Sequence, residues 1–520
     1  MNGARARDSV PQVRPHLTPM HLSSRHARSE RRLHSSGTPP LQRRELALVV
    51  ALSLCLIWTT WSIGGVSLWA EAGTCLFALA AAFIAFVPSQ ATGWSNLRAL
   101  IRFVPFWLGA FVLLYMVVQD LNASSKLIRF PDGSVTGRTL PHLSWLPSGV
   151  ETPITSVGPL RMALIFLPCW IVGCAVWCGS YRPKAMRAML WVMALNASLF
   201  AVIGVLQEVT KAKSVLWLFD KPISNMPFWG TVANPNHASA FMNIGLGAAL
   251  TLFLYYTGKQ GRDFTKGGSF LMLVPLSVLL LMGILNAMSR AGVVVAVLIV
   301  GAFLTILTWR LFCHLREERN TPVLVVSSIV MLLIAGIAGT SVKNMVSMDR
   351  LYSELRSLVS VANAPEDDIR FYISLASRDM IEDRPAYGWG AGCYRYFFQK
   401  YQKNYPALMP KNMRYRINYA HNDFLNCLCD LGFVGATPLF SVMIGLPAFV
   451  FFFRRQGLDG PAMMGLATTG AILLHATLEF FLQHPLVSLE YVLFLAALTR
   501  MISLRHFQNK LAYPIGQPVR

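Results

Sequence analysis

The residues best suited to acid–base chemistry form a short polar cluster, in which Tyr419 and Ala420 are followed by His421, Asn422 and Asp423. A hydrophilic stretch precedes this cluster and an apolar stretch follows it. An imidazole titrates close to neutral pH, so His421 can accept a proton from a hydroxyl group, with Asp423 or Asp430 as the group that orients it. The pattern predicts a proton-transfer site at a membrane surface, with Asn422 and Asp423 as substrate-binding residues. A histidine that only caps the next helix is the structural alternative.

Arg290 is a second candidate, because it lies between two apolar stretches with scarcely a turn to separate them. Its planar guanidinium can bind two diphosphate oxygens at once and stabilise the charge of a departing phosphate. The alternative is an arginine that extends along apolar surface to the lipid headgroups.

Two further groups of residues have types that suit glycan or phosphate binding. Asn234, Asn236 and His237 stand at the start of an apolar stretch, where capping of a helix is favoured over sugar contact. From Arg395 to Arg416 there are six basic residues and no acidic one, interleaved with aromatic residues. This stretch predicts either an amphipathic helix on lipid headgroups or a sugar-phosphate surface. Its predicted binding residues are Arg395, Lys400, Arg414 and Arg416.

Composition places these residues in a membrane protein. Of 520 residues, 54% are hydrophobic and only 14% are charged. Many apolar runs approach the roughly 20 residues that a helix needs to cross a bilayer. The net charge of +21 sits in an N-terminal arm and in short segments between apolar runs, which is typical of membrane topology and argues against nucleic-acid binding. The nine cysteines show neither a disulfide framework nor zinc-ligand spacing.

Hydropathy predicts about twelve spans, with eleven as an alternative: 46–64, 66–87, 103–118, 159–179, 188–206, 238–256, 270–288, 292–309, 323–339, 433–453, 462–481 and 487–498. Basic residues concentrate in alternate connections, so the positive-inside rule predicts that both termini are cytoplasmic. The predicted segments are a disordered basic arm (1–45), spans 1–3 (46–118), a periplasmic loop (119–158), spans 4–9 (159–341), a large helical periplasmic loop (342–420), spans 10–12 (421–504) and a cytoplasmic tail (505–520).

Intramembrane charges form another set of candidates. His475 and Glu479 are four residues apart, so they are predicted to share one helix face inside the membrane, as a functional or a mutually satisfied structural pair. Glu71, in the second predicted span, has the same two interpretations.

Five motifs, in order along residues 225–485, resemble the bacterial O-antigen ligase and polymerase superfamily. They are Asn234-Pro235-Asn236-His237; Ser289-Arg290-Ala291-Gly292; the glycine loop from Pro385 through Gly388, Gly390 and Gly392; His421-Asn422-Asp423 with Asp430, Gly432 and Gly435; and His475 to Phe480. The glycine loop lacks the Lys-Ser/Thr of a phosphate loop, so it is predicted to contribute backbone shape.

The resemblance implies an all-α integral membrane fold of the GT-C-like kind and a glycosyltransferase of lipid-linked glycans in the bacterial inner membrane. The donor would be a glycan on undecaprenyl diphosphate and the acceptor a hydroxyl of lipid A-core or a similar molecule. We predict an inverting reaction without metal or other cofactor, with His421 as base and Arg290 as phosphate ligand. The alternatives are a polysaccharide polymerase, a protein O-oligosaccharyltransferase and, from another class, a transporter, which would carry its charged sites near the bilayer midplane. The oligomeric state is not predicted.

Overall fold

The fold is known from a computed structural model that describes residues 41–88, 93–129, 135–219, 228–259, 270–318, 368–409 and 417–512. Most of the predicted arm lies outside these residues, as do the predicted span 323–339 and the candidates Arg414 and Arg416.

The described chain is predominantly helical, as predicted. Several helices start with a proline in the first turn, where the missing N–H costs no hydrogen bond. The helices are α1 (Arg43–Trp61), α2 (Leu68–Phe86), α3 (Ser95–Ile101), α4 (Val104–Leu121), α5 (Pro159–Gly179), α6 (Pro183–Val209), α7 (Pro235–Lys259), α8 (Phe270–Asn286), α9 (Arg290–Glu318), α10 (Ile369–Asp383), α11 (Tyr394–Gln402), α12 (Asp423–Phe440), α13 (Leu446–Phe453), α14 (Gly460–Ala476) and α15 (Pro485–Ala512).

Nine helical stretches of the described residues are long and apolar enough to cross a membrane, and each overlaps a predicted span. Helix α8 is apolar but shorter. Helices α12 and α13 are joined by a π-helical turn, Ser441–Gly445, into one stretch from Asp423 to Phe453. The chain is therefore a multi-pass membrane protein, and the count of twelve spans stays a prediction.

The connection between α4 and α5 contains a small sheet that the all-helical prediction did not include. Its strands are β1 (Ser125–Arg129), β2 (Val135–Thr139) and β3 (Val150–Glu151). Strand β1 lies in the middle, antiparallel to β2 and parallel to β3. The end of this connection packs against the glycine loop, since a Cβ on Gly390 would lie 2.5 Å from Gly149 Cα.

The two ends of the helical bundle differ in chemistry. At one end, arginines bond to the carbonyl groups of helix termini: Arg500 Nε donates to Ser180 O at 2.9 Å and Arg310 Nη1 to Leu254 O at 2.7 Å. We call this the arginine-rich end. The opposite end, which we call the site end, contains His421 and the starts of α7, α9 and α12.

Glu71 is paired at the site end. Its carboxylate forms an ion pair with Arg161 at 2.9 Å, between the first turns of α2 and α5. This contact supports the structural interpretation of Glu71.

Candidate active site

His421 lies in the turn before α12, in a backbone conformation that residues with a side chain rarely adopt. Its φ is +50°, and such non-glycine outliers are concentrated at functional sites. The turn is held because Ala420 N donates to Asn426 Oδ1 and Asp423 N to Glu479 O, both at 3.1 Å. The His421 side chain is 33% exposed. It is thus both anchored and open to a ligand.

Glu479 is the partner of His421 and the centre of the site. Its Oε2 lies 3.3 Å from His421 Nδ1, and its side chain is only 1% exposed. Its Oε1 accepts hydrogen bonds from Asn236 Nδ2 and Arg370 Nη2, both at 2.6 Å. A buried carboxylate with several donors is held in one orientation. Because Glu479 occupies Nδ1, the Nε2 of His421 is the ring nitrogen available to a substrate.

Neither aspartate that was predicted to orient His421 does so. The buried carboxylate of Asp423 accepts from Leu482 N at 2.9 Å, and that of Asp430 bonds to backbone amides at the end of the glycine loop. The prediction looked for a carboxylate close in the chain, whereas Glu479 reaches the site from beyond the end of α14.

Asp430 instead attaches the glycine loop to α12. Its Oδ2 accepts from Gly392 N at 3.0 Å. Backbone bonds continue this attachment, since Trp389 N donates to Cys429 O at 2.8 Å. The three glycines of the loop have positive φ, as a tight turn of this kind requires. The loop therefore contributes its backbone shape to the support of the site.

A layered stack of side chains borders His421. Tyr419 lies parallel to Phe480 with ring centroids 4.1 Å apart. Arg395 donates to the Tyr419 hydroxyl, and its guanidinium lies over the same ring. The His421 ring meets Phe480 edge to face at 5.0 Å. Aromatic and cation–π contacts of this kind are favourable, and they bring the predicted Arg395 to the site.

The residues at the start of α7 divide between capping and the site. Asn234 Oδ1 accepts from Asn236 N at 2.9 Å, so Asn234 has the favoured capping role. The side chain of Asn236 points to Glu479. His237 is buried and lies edge to face with Phe480 at 4.9 Å.

Asn422 is also a helix cap. Its Oδ1 accepts from Phe424 N and Leu425 N, at 3.0 and 3.1 Å, at the start of α12. Its side-chain oxygen therefore bonds to the helix. The predicted contact between Asn422 and the substrate would then be made by the side-chain amide nitrogen.

Arg290 is the exposed first residue of α9, at the site end. Its helix packs tightly on α7: Asn243 Nδ2 donates to Gly292 O at 2.9 Å, and a Cβ on Gly292 would lie 2.3 Å from Ser239 Oγ. Ser239 Oγ in turn donates to Asn236 O at 2.8 Å. These contacts tie the position of Arg290 to the asparagine that holds the site carboxylate.

Lys400 contacts a different set of residues. Its Nζ is 3.4 Å from Asp383 Oδ2, and its side chain is 69% exposed. A hydrogen bond from Tyr401, with smaller contributions from Lys400 and Arg384, lowers the pKa of Asp383 below its ordinary value. Lys400 is thus paired away from the stack that borders the candidate base.

The prediction that His475 and Glu479 share a helix face inside the membrane is wrong. Helix α14 ends at Ala476, so Glu479 lies beyond it and turns to His421. The His475 ring instead contacts Phe481, with ring centroids 4.7 Å apart. The motif included Glu479, which does lie at the site. The helical period, however, predicted His475 as its partner, whereas the structure pairs it with His421.

Arg370 was missed by the sequence reasoning. It follows a short acidic run in a hydrophilic stretch, and no motif singles it out. Asp368 caps α10 by accepting from Arg370 N at 2.8 Å, which fixes the start of the helix that carries the arginine to Glu479. An arginine in the first turn of a capped helix, beside a long loop, is the one signal that the sequence offers.

Within the described ranges, no three His, Cys, Asp or Glu side chains are grouped so as to hold a metal ion. The charged groups around His421 are Glu479, Arg370 and, through Tyr419, Arg395. Together they can take up a proton and bind an anion.

Fold and site together define a multi-pass helical membrane protein with an acid–base site at one end of its bundle. The family model of the O-antigen ligases matches residues 275–440, about a third of the chain. This match supports the superfamily that the motifs indicated, and it implies a glycosyltransferase-like enzyme of lipid-linked glycans. The matched region includes Arg290, Arg370 and His421, whereas Glu479 lies outside it. Comparison with curated proteins gave no match.

Proposed function

We propose that the protein transfers a glycan from undecaprenyl diphosphate to a hydroxyl group of lipid A-core or a similar acceptor, at the periplasmic face of a bacterial inner membrane. The contact that carries this proposal is the one between His421 and the buried, hydrogen-bonded carboxylate of Glu479. A carboxylate on Nδ1 holds an imidazole in the orientation in which Nε2 acts as a base.

In the proposed reaction, the acceptor oxygen forms a bond to the anomeric carbon of the donor sugar while the bond from that carbon to the diphosphate breaks. His421 Nε2 takes the proton of the acceptor hydroxyl, and Glu479 stabilises the imidazolium that forms. The lipid diphosphate departs with the bonding electron pair. Attack from the face opposite the leaving group inverts the anomeric centre.

In the proposed reaction, arginine side chains bind the departing diphosphate and stabilise its negative charge. The Arg370 side chain is 42% exposed while it pairs with Glu479, so part of its guanidinium faces solvent beside the base. Arg290 and Arg395 lie at the same end of the bundle. Arginine matches phosphate oxygens in two-point geometry. These arginines are the proposed phosphate ligands, and the proposed reaction uses no metal.

Substitution of His421 tests the proposal. We expect His421→Ala to fold normally and to lower transfer by about 10²- to 10⁴-fold, the usual contribution of general acid–base catalysis. Transfer is measured from purified polyprenyl-diphosphate glycan at matched protein levels, with and without a chelator. His142→Ala, which changes an exposed histidine of the α4–α5 connection, is the control.

Activity of His421→Ala within a few-fold of wild type would reassign His421 to the cap role. A strict requirement for Mg²⁺ or Mn²⁺ would contradict the metal-free reaction. Assays of lipid, glycan and peptide acceptors side by side separate the ligase from a polymerase or a protein O-oligosaccharyltransferase.

A further inference from the structure

Two apolar cavities adjoin each other between α4, α5, the α12–α13 stretch and α15. They share Phe166, Cys169, Leu439, Met443, Tyr491 and Val492. The two cavities therefore form one groove, which extends from Asp423 at the site end to Phe103 and Trp177 toward the arginine-rich end.

The α12–α13 stretch is bent where it lines the groove. Gly432 has φ +62°, Pro438 stands inside the helix, and the chain forms a π-helical turn from Ser441 to Gly445. Proline and π-helical turns deflect helices, and π-helical turns are frequent at functional sites. Met443 of this turn lines both cavities.

The end of the groove near the site is acidic. Asp423 and Asp430 both line it, and among the described residues that line either cavity there is no lysine or arginine. Asp423 is 2% exposed. Its Oδ2 accepts from Leu482 N and the Phe481 amide lies nearby, whereas its Oδ1 has no partner at hydrogen-bonding geometry within the described part of the chain. A buried acceptor without a donor is costly unless a ligand supplies one.

Charge decides which lipid suits this groove. A diphosphate at its acidic end would face two aspartates and no lysine or arginine among the described lining residues, whereas Arg370 and Arg395 bond to Glu479 and Tyr419. A lipid whose headgroup offers hydroxyl or amide donors meets an acceptor there instead. The groove is therefore suited to an acyl chain that carries a donor-bearing headgroup.

We propose that the groove binds an acyl chain of a lipid-anchored acceptor, whose headgroup donates a hydrogen bond to Asp423. The inference rests on the proposed function, which requires both a donor and an acceptor. The groove would bind the acceptor, and the arginines would bind the diphosphate-linked donor. The acceptor hydroxyl then arrives at His421 from the groove side, two residues along the chain from Asp423.

Photochemical labelling tests the occupant directly. The full chain in lipid nanodiscs is irradiated with one of three probes that carry the same diazirine in a hydrocarbon chain: a diacyl glycolipid with an uncharged sugar headgroup, a polyprenyl diphosphate, and phosphatidylcholine. We expect the glycolipid to label peptides of α5 and α15 at the groove at least ten-fold more than either other probe. Excess unlabelled glycolipid should compete.

Two neighbouring residues of the π-helical turn provide matched variants. Met443→Trp fills the waist of the groove and should abolish glycolipid labelling, whereas Ile444→Trp changes a residue that is 45% exposed and absent from the groove, and should preserve it. Asp423→Leu removes the acceptor and should lower glycolipid labelling without changing that by phosphatidylcholine. Competition on the wild-type protein keeps the test valid if a variant fails to fold.

Stronger labelling of the groove by the polyprenyl diphosphate would overturn the inference and assign the groove to the donor. Labelling by phosphatidylcholine equal to that by the glycolipid would show surrounding membrane lipid only, which also overturns it. Labelling requires no turnover, so His421→Ala should label normally. Failure of the proposed reaction and failure of the groove assignment are therefore separate results.

Discussion

Glu479 is the single residue on which most of the site depends, because one carboxylate serves several donors. It bonds to His421, Asn236 and Arg370 at once. Its negative charge both orients the imidazole and offsets the charge of the arginine. Loss of that charge should therefore affect the base more than the fold.

We expect Glu479→Gln to lower the maximal transfer rate by about 10- to 100-fold, which is less than the loss expected when the base itself is removed. The loss should fall on kcat more than on KM, because the imidazole rather than the bound substrate loses its support. Steady-state kinetics of purified protein separate the two constants. Glu382→Gln, at an exposed ion pair with Arg378, is the control. An unchanged kcat for Glu479→Gln would leave Glu479 a structural role only.

Arg290 raises a second question, namely whether its planar fork or only its charge matters. If the guanidinium binds diphosphate at two points, Arg290→Lys should be nearly as defective as Arg290→Ala, because lysine lacks the fork. A residue that merely extends to headgroups would be replaced by lysine without loss. Transfer by both variants at matched membrane levels decides, and a fully active lysine variant removes Arg290 from the site.

Among the elements, the glycine loop and the kinked α12 depend on each other. Gly388 and Gly432 both have positive φ and approach so closely that a Cβ on Gly432 would lie 2.6 Å from Gly388 N. Asp430 bonds to the same loop, and so does Gln119, whose Oε1 accepts from Ala391 N at 2.9 Å. The loop, α4 and α12 thus hold the turn that contains the candidate base.

Gly432→Ala should reveal how far the site depends on this support. At φ +62° and ψ −175° the backbone is in a region open essentially to glycine alone, where a side chain costs about 1–3 kcal/mol. We expect a lower melting temperature and at least ten-fold lower transfer. Gly470→Ala, in α14 where a Cβ meets nothing within 4 Å, is the matched control. Wild-type stability and activity in Gly432→Ala would show that the loop is not required to hold the turn.

The orientation of the entire protein in the membrane matters as much as the site. The proposed reaction requires the site end to face the periplasm, where the lipid-linked donor is available. The arginines at the opposite end are typical of a cytoplasmic face. The segment 368–409, which contributes Arg370 and Arg395, must then lie on the periplasmic side of the inner membrane.

Thiol labelling measures this orientation. We expect Asn404→Cys, at an exposed position just after α11, to react with a membrane-impermeant maleimide on intact spheroplasts. Gln456→Cys, exposed at the arginine-rich end, should react only after lysis. Wild type is the blank, because the nine native cysteines are buried or partly buried. Labelling of Gln456→Cys alone on intact spheroplasts would reverse the topology and refute the proposed reaction.

The membrane class, most of the helical stretches and the candidacy of His421 follow from the sequence alone. Apolar length and basic flanks are local properties, so α1, α5 and α9 could be recognised without knowledge of their neighbours. The turn at Gly388 to Gly392 was predictable for a similar reason, because positive φ favours glycine. The superfamily motifs could also be recognised from the sequence, because each is a distinctive short run of residues.

Packing in three dimensions established which carboxylate serves the base and where the apolar groove runs. His421 and Glu479 are 58 residues apart, and Asn236 is 243 residues from Glu479. The helical period that paired Glu479 with His475 applies only while the helix continues, and α14 ends at Ala476. Hydropathy records how apolar a helix is but not which face meets which neighbour. The partners of His421 were therefore set by contacts between α7, α10, α12 and the chain beyond α14.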